Sequence, residues 1–284
     1  MTYAPDLDAY FARIGYHGPR SATLEVLGNI VSAHVQSIPF ENLDVLLGRG
    51  IDLNPEAVEA KLVHAQRGGY CFEQNSLLLH VLEALGYEVR PVSARVRLGR
   101  ERDFIPARSH MFLVVQLAGE RFLCDVGVGG LSPTAPLRLD TEAEQATPHE
   151  PRRIVRDGHW SHSDLRDPAA RLFHQALLGD SWQDICEFTL ETMHPIDREV
   201  ANWFTSAHPE SHFRNRLLVA RATPSGRKTL LNRSFTERAG DGSTQTGTIA
   251  DPETLLDHLA QHFGLRFPAG TRFACEGLDW AATE

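Results

Sequence analysis

The chain has 284 residues, 42% of them hydrophobic and 23% charged, the balance of an ordinary globular protein able to bury a large core without disulfides or structural metal. Against 28 basic residues stand 37 acidic ones, a net charge of −9, which argues against a nucleic-acid partner because phosphate tracking needs a basic footprint. No stretch approaches the ~20 apolar residues of a membrane span, and the opening segment is acidic and amphipathic rather than a signal peptide, so a cytoplasmic location without membrane contact is expected.

Residues 1–86 read as helical. Leu7, Tyr10, Phe11 and Ile14 form an i, i+3, i+4, i+7 stripe. Ser21 is a candidate N-cap for a second helix with Leu24, Leu27, Val31 and Val35 inward. Asn54-Pro55-Glu56 starts another, through Val58 and Leu62, that stops at Arg67-Gly68-Gly69. A helix from about Cys71 to Leu85 follows, with Leu78, Val81, Leu82 and Leu85 inward and Gly86 at C′. The period then changes to two. Val92, Ala94, Val96 and Leu98 alternate with Ser93, Arg95 and Arg97. Met111–Leu117 and Arg121–Val126 flank Ala118-Gly119 as a hairpin. Arg152–Val155 and His159–His162 surround a turn at Asp157-Gly158, Asp140–Glu150 reads as a polar surface loop, and Cys186–Leu190 as a strand. From Met193, Ile196, Val200, Trp203 and Phe204 form a helical stripe read as core, Leu217–Ala222 and Thr229–Asn232 a hairpin, and Asp251-Pro252-Glu253 caps a closing helix ended by Gly264. The expected layout is α+β in three parts: a helical bundle over 1–86, a β-rich domain over 87–192 and a small α/β piece over 193–284.

Four cysteines, Cys71, Cys124, Cys186 and Cys275, lie far apart with no CxxC pair, which is neither a zinc nor a disulfide framework. Cys71 differs from the others because it opens a predicted helix, where unpaired N–H groups and the helix dipole favour a thiolate. The competing reading is a small buried core residue. A nucleophilic cysteine needs a base and a group that orients it. If Ala118-Gly119 is a two-residue turn, Leu117 opposes Glu120, and His110 lies on the same face as Asp125, one diagonal step of roughly 7–8 Å away; a one-residue slip would separate them. Gly127-Val128-Gly129-Gly130 admits either a close ligand approach or a plain turn. The His208/His212 and His258/His262 pairs have i, i+4 spacing but no third ligand, so no metal is expected and the second pair reads as a solvated face. Glu41, an acid in an apolar stretch, needs a partner, and Arg67 is the candidate, a structural pair holding the Cys71 turn.

Arg67-Gly68-Gly69-Tyr70-Cys71-Phe72-Glu73-Gln74-Asn75 resembles the active-site motif of the arylamine N-acetyltransferases. Ile38-Pro39-Phe40-Glu41-Asn42-Leu43, Ser109-His110-Met111, Asp125 to Gly130, and Asn202-Trp203-Phe204-Thr205-Ser206 resemble further segments of its bacterial members, in the same order. The resemblance implies Cys71 as acyl acceptor, His110 as its base and Asp125 as the orienting group. It also implies a helical bundle, a β-barrel domain and an α/β lid around a papain-like or transglutaminase-like core. Acetyl-CoA would be the donor, and an arylamine or arylhydrazine the acceptor, in ping-pong order. Phe40 and Phe204 would shape the acceptor pocket, and the Gly129-Gly130 backbone with a few arginines would receive CoA. The same triad could instead serve an amide synthase, a Cys-His-Asp hydrolase or a non-catalytic redox thiol, and a homo-oligomer is left open.

Overall fold

A computed structural model describes residues 3–157 and 171–280. Helix α1 (Leu7–Ile14) is capped by Asp6, whose carboxylate accepts the Ala9 N–H, and ends at a left-handed Gly15. Helix α2 (Leu24–Ser37) begins two residues later than expected, because Thr23 rather than Ser21 caps it. Leu24 consequently sits on the outer edge, 45% exposed, while Leu27, Val31 and Val35 point inward. Strand β1 (Phe40–Glu41) and the short α3 (Leu43–Leu46) follow. Asn54 caps α4 (Pro55–Glu59), which runs into a π-helical turn over Ala60–His64. Helix α5 (Cys71–Ala84) is buried along most of its length. Tyr10, Leu27, Ile30, Leu62, Leu78 and Leu82 form the centre of this helical core, each large side chain contributing about 1.5–3 kcal/mol of burial.

A seven-stranded antiparallel sheet occupies the middle of the chain, in the order β5 (Leu137–Arg138), β4 (Glu120–Cys124), β3 (His110–Leu117), β2 (Glu88–Val96), β8 (Ser181–Thr192), β7 (Leu172–Leu178) and β6 (Arg152–Arg156). Its edges, β5 and β6, come together, so the sheet curls nearly into a barrel. The β3–β4 hairpin has the expected register, Leu117 opposite Glu120, because Ala118 and Gly119 both take positive φ and give a turn whose twist matches the strands. Three expectations fail here. Leu98 lies beyond the end of β2, half exposed. Arg97 is not on a wet face; it is 1% exposed and bonded to Glu187 at 2.6 Å, a partner that local alternation does not reveal. Glu150 is likewise drawn out of its loop, gripping Arg227 through two 2.7 Å bonds and Arg152 through one. The expected strand at His159–His162, and Gly158 of the turn before it, lie outside the described residues.

The last part contains α6 (Pro195–Ala207), α7 (His212–Asn215), α8 (Pro252–Phe263) and a five-stranded antiparallel sheet. The sheet order is β1, β9 (Leu218–Thr223), β10 (Gly226–Leu231), β11 (Ser234–Ala239) and β12 (Thr244–Thr248). The α6 stripe is opposite in sense to expectation: Ile196, Val200 and Trp203 are each 63% exposed, and the buried positions are Ala201 and Thr205. Periodicity located the helix but not the side that meets the protein. The edge strand of the sheet comes from the first part of the chain, with Phe40 paired to Ala220 and Glu41 to Val219.

Candidate active site

Cys71 opens α5, where helix geometry leaves the first N–H groups without intrahelical partners. The turn before it is held on several sides. Glu73, in the third helical position, accepts the Tyr70 N–H at 3.0 Å, half of a capping-box arrangement. Its other oxygen binds Lys61 at 2.6 Å, Lys61 binds Asp44 at 2.8 Å, and Asp44 meets Arg67 at 3.2 Å. Arg67 then closes on Glu41 at 2.7 Å and lies over the Phe267 ring. Glu41 and Arg67 are thus brought together, and Glu41 also accepts the Leu43 N–H at 2.6 Å. From the core side Gln74 donates to Pro39 O at 2.8 Å and Gly69 O at 3.2 Å. The Gln74 amide oxygen receives His34 at 2.7 Å, an imidazole that burial keeps down to about 4 and therefore neutral.

His110, at the start of β3, and Asp125, just past the end of β4, meet across the hairpin at 2.7 Å, each 1% exposed. Asp125's other oxygen accepts the Gly127 N–H at 2.8 Å and the Asn75 amide at 3.1 Å. Burial alone would push the imidazole down. The Asp125 charge and hydrogen bond, with the facing Cys71 thiol, overcome it and raise His110 to about 10. Asp125 is correspondingly held below the usual carboxylate range, since its His110 partner and three bonds outweigh burial. The Cys71 sulfur is 3.7 Å from Ser109 O, the residue before His110. Gly127 makes the convergence of α5 and the β4 end feasible: a Cβ there would stand 2.7 Å from Cys71 Cα and 2.7 Å from the Asn75 amide. Asn75 is the residue the motif contained without a role. It lies one turn after Cys71, on the same helix face, where an amide in an apolar helix signals a buried partner. It bonds Met111 O, Asp125 and the Val126 N–H together.

Cys71 and His110 line the buried end of a cavity of about 590 Å³. Phe40, Gly129, Gly130 and Phe204 line it too. Phe204 is carried there by α6, which is tied down where Tyr70 donates to Asn202 and Asn202 donates to Ile51 O at 3.0 Å. The remaining cysteines lack such a setting, but Cys186 is nearer the site than its sequence suggested, its sulfur within 4.8 Å of a His110 nitrogen and an Asp125 oxygen. Burial pushes its thiol upward, so it stays protonated, and the His110 and Asp125 atoms beside it are spent on each other. The histidine pairs are engaged elsewhere. His208 stacks on Phe204, and His212 meets Arg100 at 3.1 Å. His258 and His262 pack on Phe235 rather than on solvent.

A family model described as N-acetyltransferase matches residues 23–271. The arylamine N-acetyltransferase of Mycobacterium tuberculosis is 42% identical, covering 92% of this chain and 90% of the relative. Its solved structure superposes with a TM-score of 0.84 at 42% identity, covering 91% of this chain and 93% of that one. The Mycobacterium marinum arylamine N-acetyltransferase, solved in complex with CoA, superposes with a TM-score of 0.83 at 40% identity, covering 91% and 92%. With the family model spanning most of its length and relatives this similar, the chain belongs to the arylamine N-acetyltransferase family of acyltransferases.

Proposed function

We propose that the protein transfers an acetyl group from acetyl-CoA to an arylamine or arylhydrazine through an acetyl-Cys71 intermediate, with His110 as base and Asp125 as the group that orients it. The observation that carries this reading is Cys71 at the buried end of a mostly apolar cavity, facing an imidazole bonded to Asp125 at 2.7 Å. An imidazolium held by that carboxylate favours a neighbouring thiolate. The Cys71 sulfur attacks the acetyl carbonyl, the tetrahedral oxyanion is met by N–H groups including that of Cys71, and CoA leaves with the proton of His110. The neutral amine then attacks the thioester, its proton passes to His110, and the Cys71 thiolate departs. An aromatic amine suits this route because it is largely unprotonated near neutrality. Phe40 and Phe204 shape the acceptor side, and Gly129 and Gly130 let CoA pass close to the backbone. CoA in the related M. marinum structure supports the donor.

We further propose that the three parts, 1–86, 87–192 and 193–284, act as nucleophile-bearing helical bundle, base-bearing barrel and lid around a papain-like or transglutaminase-like core. The test of function is intact mass spectrometry after brief exposure to acetyl-CoA without amine. One added acetyl group, mapped to Cys71 and discharged by an arylamine, is expected. Rapid alkylation of Cys71 by iodoacetamide without any acetylation by acetyl-CoA would overturn the donor assignment.

A further inference from the structure

Three helices meet behind the turn that presents Cys71, and each contributes one fully buried polar side chain: Tyr10 from α1, His34 from the last turn of α2 and Gln74 from the first turn of α5. None of the three lines the cavity. The Tyr10 hydroxyl is 2.9 Å from His34 Nδ1, and His34 Nε2 is 2.7 Å from Gln74 Oε1. Gln74 Nε2 in turn donates to Pro39 O at 2.8 Å and Gly69 O at 3.2 Å. Those two carbonyls already accept backbone N–H groups, Pro39 O from Gly69 and Gly69 O from Glu41, so the Gln74 amide occupies the second lone pair of each.

This arrangement admits a single set of proton positions. With the Gln74 amide turned over, its oxygen would face two carbonyl oxygens; Oε1 therefore points at His34 and needs a donor there. His34 must carry its proton on Nε2, which leaves Nδ1 as an acceptor, and the Tyr10 hydroxyl must donate to it. The imidazole is neutral, as burial and the Arg13 charge also require. All the donors then run one way, from α1 toward the turn, and each bond polarises the next. Without the Nε2 proton the Gln74 oxygen becomes a buried acceptor lacking a donor, and the amide loses what holds its orientation. We infer that His34 is a positioning residue for acetyl transfer: it fixes the Gln74 amide, which clamps the Pro39 and Gly69 carbonyls and so sets the place of the Cys71 sulfur and N–H just beyond them. The inference rests on Cys71 being the acyl acceptor.

The test uses two amides that differ by one methylene. His34→Gln carries its nitrogen as far from the backbone as Nε2 and restores the donor to Gln74, whereas His34→Asn reaches only the Nδ1 position and leaves Gln74 Oε1 unpaired. In His34→Gln, kcat for acetyl transfer stays close to that of the wild type. In His34→Asn it falls about 10–100-fold, the range of outer groups that orient a reacting one, with KM for both substrates unchanged, and iodoacetamide labelling of Cys71 slows as well. Ile30→Ala, one turn earlier on α2 and buried among apolar side chains, reads what lost stability does alone: it melts earlier than the wild type yet keeps its kcat. Equal kcat in the two His34 variants overturns the inference, as does a loss in Ile30→Ala that matches His34→Asn. A proton–nitrogen correlation spectrum of the wild type showing His34 protonated on Nδ1 overturns it too. Should acetyl-CoA leave wild-type Cys71 unacetylated, the transfer reading falls by itself. The placement of the thiol by His34 is then judged from the tautomer and the alkylation rates, and equal rates in His34→Gln and His34→Asn would end it.

Discussion

Replacing Arg67 by Met should destabilise the fold far more than removing an ordinary surface arginine. Arg67 is 12% exposed and its partner Glu41 is fully buried, so Met leaves a carboxylate without its cation in a place water does not reach. Breaking one side of a buried pair costs about 3–5 kcal/mol. Lys61 remains at 2.8 Å from Asp44 and keeps that acid satisfied, which favours the lower end, about 3 kcal/mol. Unfolding entropy of ~2.1 cal/mol/K per residue converts this, for a chain this long, to roughly 5 °C in Tm. The assay is thermal unfolding at neutral pH followed by circular dichroism, with Arg272→Met as the comparison, because its ion pair with Glu253 is about half exposed on both sides and such pairs contribute about 0–1 kcal/mol. Equal shifts in the two variants would refute the reasoning, as would recovery of the Arg67→Met loss in high salt, since screening acts on exposed charges.

Asp125→Asn should reduce acetyl transfer on the order of 10³–10⁴-fold while the protein still melts cooperatively, because an amide favours the wrong tautomer of His110; steady-state turnover near the wild-type rate would remove Asp125 from the mechanism. Asn75→Ala, which deletes the amide bonded to Asp125, should lower kcat by about 10–100-fold, in the range of other groups that orient a ligand or base, and normal kcat in a stably folded variant would contradict a positioning role. The raised His110 places its positive charge fully below the ordinary value of 6.5 and removes it as pH rises through about 10. Iodoacetamide labelling of Cys71 should therefore show no break near pH 6.5 and one near 10, and a break near 6.5 would mean His110 titrates as an isolated imidazole. Glu150, lowered to about 2 by Arg227 and Arg152 against the opposing effect of burial, stabilises the fold above its ordinary value of about 4.3, and that contribution disappears as pH falls through about 2. Glu150→Gln should lose about 2–3 kcal/mol at pH 7 and only about 0.4 kcal/mol at pH 2, where the carboxyl is half protonated, as read by denaturant unfolding at both values.

The site was more legible in the sequence than the surroundings that hold it. A tight turn fixes the pairing of every residue behind it, so Ala118-Gly119 sufficed to bring His110 and Asp125 to one face. Cys71 was marked by its place at a helix start, and Glu41 by being an acid among apolar neighbours. Other features depend on partners far along the chain. Arg97 reads as a wet residue of an alternating strand until Glu187, ninety positions away, arrives beside it. The α6 stripe has the right spacing for burial, yet amphipathicity is silent on which face has a neighbour. Strand β7, LFHQALL, carries no alternation, and β11 and β12 are too polar to stand out from loop. Asn75 could have been singled out from its i+4 relation to Cys71, but its three partners come from another part of the fold.

The two-residue strand Phe40–Glu41 has a consequence for how the protein is made. On one side it pairs with β9; on the other, the Glu41 N–H bonds Gly69 O and the Gly69 N–H bonds Pro39 O, in the turn that presents Cys71. A ribosome releases Cys71 long before it releases Ala220, the residue opposite Phe40. Contacts of such long sequence separation form late. A growing or truncated chain therefore carries the Cys71 thiol without the strand arrangement that sets its turn, and that turn is completed only when the segment carrying β9 has been synthesised and folded back onto β1.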